Sequence, residues 1–260
     1  MSLIGGRNAR RTSGTALAAA LVFIAPAFAD DAGLQQRIEA RLAKAGLAES
    51  AHVEVDVTNG TAVLSGFTTT VAARREAEKA AHKEAKAVDN RLRVVPTPRT
   101  DEEIRQAVSD AVLGYVHYGV FDSVGLGVAD GVVTLQGSVL QPWRKDDIER
   151  LVSDLDGIRE VHNQIRVLPV SSFDDRLRRQ LYARIYGNDL FQRYSTFVNP
   201  PIHIVVENGN VTLTGVVNNR LERVVAESIA RGTMSFKVQN QLLVESDAEK
   251  EPSAKTPAEG

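Results

Sequence analysis

The chain has 260 residues, no cysteine, 43% hydrophobic and 25% charged residues, and a formal net charge of −2. The missing cysteine excludes disulfides, thiolate metal sites, cysteine nucleophiles and the lipid-accepting cysteine of a bacterial lipoprotein. The near-neutral balance lacks the strong positive excess with which a protein displaces counterions from nucleic acid, and the length admits one large domain or two to three small ones.

The N-terminus has the form of a secretory signal. Arg7, Arg10 and Arg11 make a positive region, Ala16–Ala25 an apolar one, and Ala27-Phe28-Ala29 an A-x-A cleavage site. Pro26 interrupts the apolar run before it reaches the roughly 20 residues a membrane span needs. Residues 1–29 are therefore expected to be removed after Ala29, leaving a periplasmic protein whose net charge moves from −2 to −5 with the loss of three arginines.

A first unit, residues 30–97, opens on a helix with Leu34, Ile38 and Leu42 at every fourth position. An alternating run, Val53-x-Val55-x-Val57, then meets Asn59-Gly60, a pair that favours the type I′ turn of a two-residue hairpin. GTAVLSG (60–66) is the returning strand, residues 70–87 an alanine- and charge-rich helix, and Val88-x-Asn90-x-Leu92-x-Val94 a third strand. Pro96-Thr-Pro98 closes the unit.

The second unit, residues 98–170, repeats this order. Thr100-x-x-Glu103 predicts a capping box for a helix carrying Ile104, Val108 and Ala111. Val124-x-Leu126-x-Val128, Asp130-Gly131 and GVVTLQG (131–137) predict the hairpin, residues 142–157 a helix opened by Pro142 and closed by Gly157, and Val161-x-Asn163-x-Ile165-x-Val167 the third strand. The third unit, residues 171–246, has an imperfect box at Ser172-x-x-Asp175 and a helix with Leu177, Leu181 and Ile185. After an insertion, Asn188–Pro201, come Ile202-x-Ile204-x-Val206, Asn208-Gly209, GNVTLTG (209–215), a helix at 218–232 with Leu221, Val224, Val225 and Ile229 along one face, and Val238-x-Asn240-x-Leu242-x-Val244. Residues 247–260 are too polar to pack and are expected to be disordered.

From closing glycine to asparagine the gap is 24, 26 and 25 residues, which suits a helical crossover returning the third strand to the same sheet. The predicted fold is α+β: three tandem αββαβ units, each a mixed three-stranded sheet with two helices on one face. The closing glycines Gly66, Gly137 and Gly215 share the leucine face and are expected to admit a close approach of helix or chain. Glu54, Asp56, Arg91, Gln136, Gln164, Thr212 and Gln239 fall on the opposite, wet face, and His203 joins them by parity. Asn90, Asn163 and Asn240 are expected to satisfy backbone groups at the corner. Small cores are marginal, so neighbouring units are expected to pack together.

The pattern V-x-V-x-x-G-x-V-x-L-x-G, followed about 25 residues later by V-x-N-x-L-x-V, resembles the BON domain, over about residues 33–245 and three times. The resemblance implies an αββαβ fold, attachment to phospholipid or the cell envelope with protection under osmotic stress, and, in other members, interaction modules of secretion proteins and channels. The Gly-Val common before the third strand is approached only by Gly157-Ile158, so the corners at 85–88 and 232–238 are expected to differ. No residue inherits a lipid-binding role from the family outright.

Chemistry-bearing residues are sparse. The five histidines (His52, His82, His117, His162 and His203) have no H-x-x-x-H spacing, no nucleophile–base grouping recurs, and no metal or cofactor is expected. Asp101-Glu102-Glu103 and Asp174-Asp175 are read as carboxylates favoured by helix N-termini. Nucleic acid is not expected as a partner: the topology loosely resembles KH domains but lacks their basic G-x-x-G loop.

Six of the 14 aromatic residues lie within Phe173–Phe197, interleaved with Arg178, Arg179, Arg184 and Arg193. Tyr186, Phe191, Arg193, Tyr194 and Phe197 form the lipid-contact candidate, since such rings suit the bilayer boundary and arginine pairs with phosphate. The same rings suit the plugging of the unit's own end, and the two readings do not exclude each other. The expected protein is thus non-enzymatic and peripheral on phospholipid or bound to envelope proteins; the alternative is a soluble interaction or chaperone-like module working through sheet edges.

Overall fold

The computed structural model describes residues 27–47 and 51–248. The first 26 residues of the expected signal and residues 249–260 of the expected tail lie outside the described residues. The first unit comprises α1 (Ala27–Lys44), β1 (Ala51–Thr58), β2 (Thr61–Thr68), α2 (Val71–His82), β3 (Ala87–Asn90) and β4 (Arg93–Val94). The second comprises α3 (Asp101–Leu113), β5 (Ser123–Ala129), β6 (Val132–Val139), α4 (Pro142–Ser153) and β7 (Glu160–Val167). The third comprises α5 (Ser172–Tyr186), a 3₁₀ segment (Gln192–Thr196), β8 (Ile202–Glu207), β9 (Asn210–Val217), α6 (Arg220–Arg231), β10 (Lys237–Val244) and a last turn, α7 (Glu245–Ala248).

In each sheet the middle strand pairs antiparallel with its hairpin partner and parallel with the strand after the crossover helix. The register sets Val55 against Leu64, Leu126 against Leu135 and Ile204 against Leu213. Three tandem αββαβ units are therefore present. In the first, pairing with β2 lapses at Arg91 and Leu92 and resumes as β4.

The hairpin turns are as the Asn-Gly and Asp-Gly pairs require: Asn59, Asp130 and Asn208 have φ of 52°, 51° and 50°, each followed by a glycine at 73–75°. Each turn is also held from the first helix of its unit. Asp31 accepts from the amides of Asn59 and Gly60 (both 2.8 Å), Asp101 from Asp130 and Gly131 (both 2.9 Å), and Asp174 from Asn208 (2.9 Å) and Gly209 (2.8 Å). Asp101 and Asp174 thus do more than favour a helix dipole: they tie the hairpin tip to the helix start.

Leu64, Leu135 and Leu213 are fully buried, and each unit has its own apolar cluster under its two helices. Asn90, Asn163 and Asn240 sit on this inner face. Their amides donate to Glu78 (3.0 Å), Glu149 (2.8 Å) and Glu227 (3.1 Å) of the crossover helices, and their oxygens accept from the amide two residues on. The closing glycines answer to a strand and not to a helix: Gly215 has φ +113°, and a Cβ there would collide with the Pro201 carbonyl oxygen.

Several expectations are corrected. The third buried residue of α3 is Val112, because Ala111 lies at the margin. The N-cap of α5 is Ser171, whose hydroxyl accepts from the Asp174 amide at 3.2 Å. On α6, Ala226 and Ala230 face the core while Leu221 and Val224 are each 62% exposed. The corner also differs less than expected: Phe236 donates its amide to Gly209 (2.9 Å) as Arg159 does to Gly131 (2.8 Å).

The units pack on one another. Val71 of α2 is buried within the second unit's cluster, and Arg75 bridges to Glu149 (2.6 Å) and Ser153 (3.1 Å) on α4. Between the second and third units, the Ile204 amide donates to the Val120 carbonyl (2.7 Å) and Ser123 Oγ lies 2.8 Å from Thr214 Oγ1. This seam covers His203, which is 8% exposed beside the Tyr118 ring and not on a wet face as its parity suggested. Burial pushes its imidazole below the usual range.

Candidate functional site

The aromatic–arginine segment of the third unit is divided by the fold. Tyr186, Phe191 and Tyr194 are 5%, 0% and 4% exposed and belong to the core cluster. The Tyr186 hydroxyl donates to the Ile202 carbonyl (2.5 Å) and accepts from the Ile202 amide (3.2 Å), and burial raises its pKa. These three rings plug the end of the unit, where a bilayer cannot reach them. Phe197, at 54%, and Arg193 remain at the surface.

Arg193 is not free to meet phosphate without cost. It pairs with Glu222, a fully buried carboxylate near the start of α6 that also accepts from the Tyr194 hydroxyl (2.7 Å), the Asn218 amide (3.0 Å) and the Asn219 side chain (3.0 Å). Burial and this carboxylate raise the Tyr194 pKa. Of the other interleaved arginines, Arg178 is buried on Asp175 and the Val206 carbonyl, and Arg184 reaches the Gly232 carbonyl at 2.8 Å. Hydrogen bonding within the unit, which periodicity cannot show, has claimed these groups.

What the third unit does present is the outer face of α6. Leu221 and Val224 lie one turn apart there, with Ser228 a further turn along and Arg220, Arg223 and Arg231 exposed around them. Glu222 points inward, and Glu227 is held by Asn240 and Arg231 (2.7 Å). Past the helix end, Met234 and Phe236 are 75% and 77% exposed, with Phe236 stacked on Phe173 at 5.7 Å. The spacing of Leu221 and Val224 marks this apolar stripe in the sequence; the stripe faces water and not the core, contrary to the expectation for such a helix.

Among the described residues no cluster of three or more histidines and carboxylates could hold a metal ion, and no helix is long and apolar enough to cross a membrane. No curated protein sequence matches the chain. Two solved structures of CdsD, a structural protein of the type III secretion system of Chlamydia trachomatis, one of them its C-terminal domain, align at 16% identity and a TM-score of 0.24. They cover 84% and 80% of this chain and 96% of their own, a superposition too loose to transfer anything. The sequence profile of the BON domain matches residues 30–96, 100–169 and 174–246, in step with the three αββαβ units. The chain belongs to the BON domain family.

Proposed function

We propose that this is a non-enzymatic, exported BON protein that docks peripherally on anionic phospholipid through its third unit and supports envelope integrity under osmotic stress. The outer face of α6 carries the reading: Leu221 and Val224 stand in water, ringed by arginines, while the acids of the same helix are buried or paired. An apolar stripe that enters the acyl boundary, with guanidinium groups at phosphate depth, is how an interfacial helix binds a bilayer. The second unit, with 7 basic against 12 acidic residues, would be repelled, whereas the third has 9 against 7, so attraction is local. The signal-like N-terminus supports export to the periplasm.

Sedimentation with phosphatidylglycerol vesicles tests this. The full chain is expected to bind at low salt, and the double substitution Leu221→Asp with Val224→Asp to weaken binding about tenfold or more. Equal binding by the variant would refute the surface, and no binding by the parent chain would refute the lipid reading. The exposure of Met234 and Phe236 also favours a protein-interaction or chaperone-like module. Absence of vesicle binding together with suppressed aggregation of an exported client would move the conclusion there.

A further inference from the structure

We propose that the cleft between the second and third units binds a neutral oligosaccharide chain. The wet faces of the two sheets meet along the seam where β5 abuts β8, and they flank an open groove of about 420 Å³. That lies in the range of about 300–1,000 Å³ common for ligand clefts. Its walls include Gln136, Gln164 and Arg166 from one sheet and Thr212, Gln239 and Gln241 from the other.

The chemistry of these walls selects the ligand. Each glutamine amide and each threonine hydroxyl both donates and accepts, as every sugar hydroxyl does. The charged pair at the cleft, Arg166 and Glu207, is closed on itself at 3.1 Å, so the cleft presents no unpaired charge from that pair to an ionic ligand. An extended peptide would add to an open strand edge. Here the seam is occupied by the bond from the Ile204 amide to the Val120 carbonyl and by the contact of Ser123 with Thr214.

A second, independent feature is the outward face of β5, where Gly125 lies opposite Gln136 and Gly127 opposite Thr134. Neither glycine has a positive φ, and a Cβ at either would meet nothing within 4 Å. Backbone geometry and packing therefore do not call for glycine. In the first unit the same two positions hold Glu54 and Asp56, and in the third His203 and Val205. Bare glycine in a strand weakens it and marks a place where another group comes close to the backbone. Ser123, two residues before Gly125 on the same face, and Gln136, the cross-strand partner of Gly125, both line the groove, so a ligand chain that runs on from the amides would pass over the uncovered strand.

Isothermal titration of the full chain with chitotetraose and maltotetraose tests the assignment. At least one tetrasaccharide is expected to bind, and Gln164→Ala with Gln239→Ala to weaken it about tenfold. A second variant, Gly125→Glu with Gly127→Asp, carries residues the first unit already accommodates at these positions. It is expected to fold with an unchanged circular dichroism melt and to lose binding by obstruction. Failure of both sugars to bind, equal binding by either variant, or displacement of the sugar by tetra-alanine would overturn the proposal. None of these outcomes depends on vesicle binding.

Discussion

Arg144 and Glu222 hold the same place in successive units, the seventh residue past the closing glycines Gly137 and Gly215, and carry opposite charge. Each is neutralised from the segment before the unit's first strand, Arg144 by Asp122 (2.6 Å) and Glu222 by Arg193. In both pairs the carboxylate is fully buried and the guanidinium is the outer member. Asp122 also accepts from the amides of Gly119 and Leu140 (both 3.0 Å), so each acid organises the loop around it. The first unit has Ala73 here and no such clasp.

Removing either buried acid strands its partners. Asp122→Ala and Glu222→Ala are each expected to destabilise their unit by about 3 kcal/mol, the low end of the cost of breaking a buried pair. Urea denaturation followed by amide exchange locates the loss. A cost below about 1 kcal/mol in both would show that the clasps are dispensable.

Asp101, which holds the second hairpin turn, sets an acid limit. The amides of Gly131 and Asp130 hold the Asp101 carboxyl below its usual range. A lowered folded pKa gives stability that is complete above the unfolded value of about 3.9 and is lost as pH falls through the folded one. Asp101→Asn is expected to remove this step from an acid titration of the second unit. Asp174→Ala, which leaves two turn amides without their acceptor, is expected to cost about 2 kcal/mol.

His203 sets a second, milder limit. Burial lowers its folded pKa, so the unfolded state binds the proton first and stability falls on acidification below about pH 6.5. Thermal melts at pH 7.5 and 5.5 should differ in the parent chain and converge in His203→Phe. Equal sensitivity in the variant would remove His203 as the cause.

Glycine substitutions separate two kinds of glycine. Gly215→Ala, with φ +113° and a carbonyl oxygen in the way, is expected to cost at least about 2 kcal/mol. Gly125→Ala meets no neighbour and is expected to change stability by less than about 0.5 kcal/mol. Chemical denaturation of the two variants side by side distinguishes them.

The repeat made most of the fold legible, because Val55, Leu64 and Asn90 recur at fixed spacing and strand parity fixes their side. Parity failed where a neighbouring unit covers the wet face, as at His203. Helical periodicity found the apolar stripe of α6 but not its direction, since the small Ala226 and Ala230 let the helix lie close to the sheet and turned Leu221 outward. The aromatic cluster was visible as composition; only the bonds of Tyr186 to Ile202 and of Tyr194 to Glu222 showed that it closes the core.

Val71 begins a helix of the first unit and ends up among the side chains of the second, where Ile104, Val133 and Ile148 surround its cluster. A fragment cut at the proline joint would therefore leave behind a socket in its own interior, of the size of one missing valine. The amino-terminal two-thirds of the molecule should melt as one body, and its segments should not swing like beads on a string.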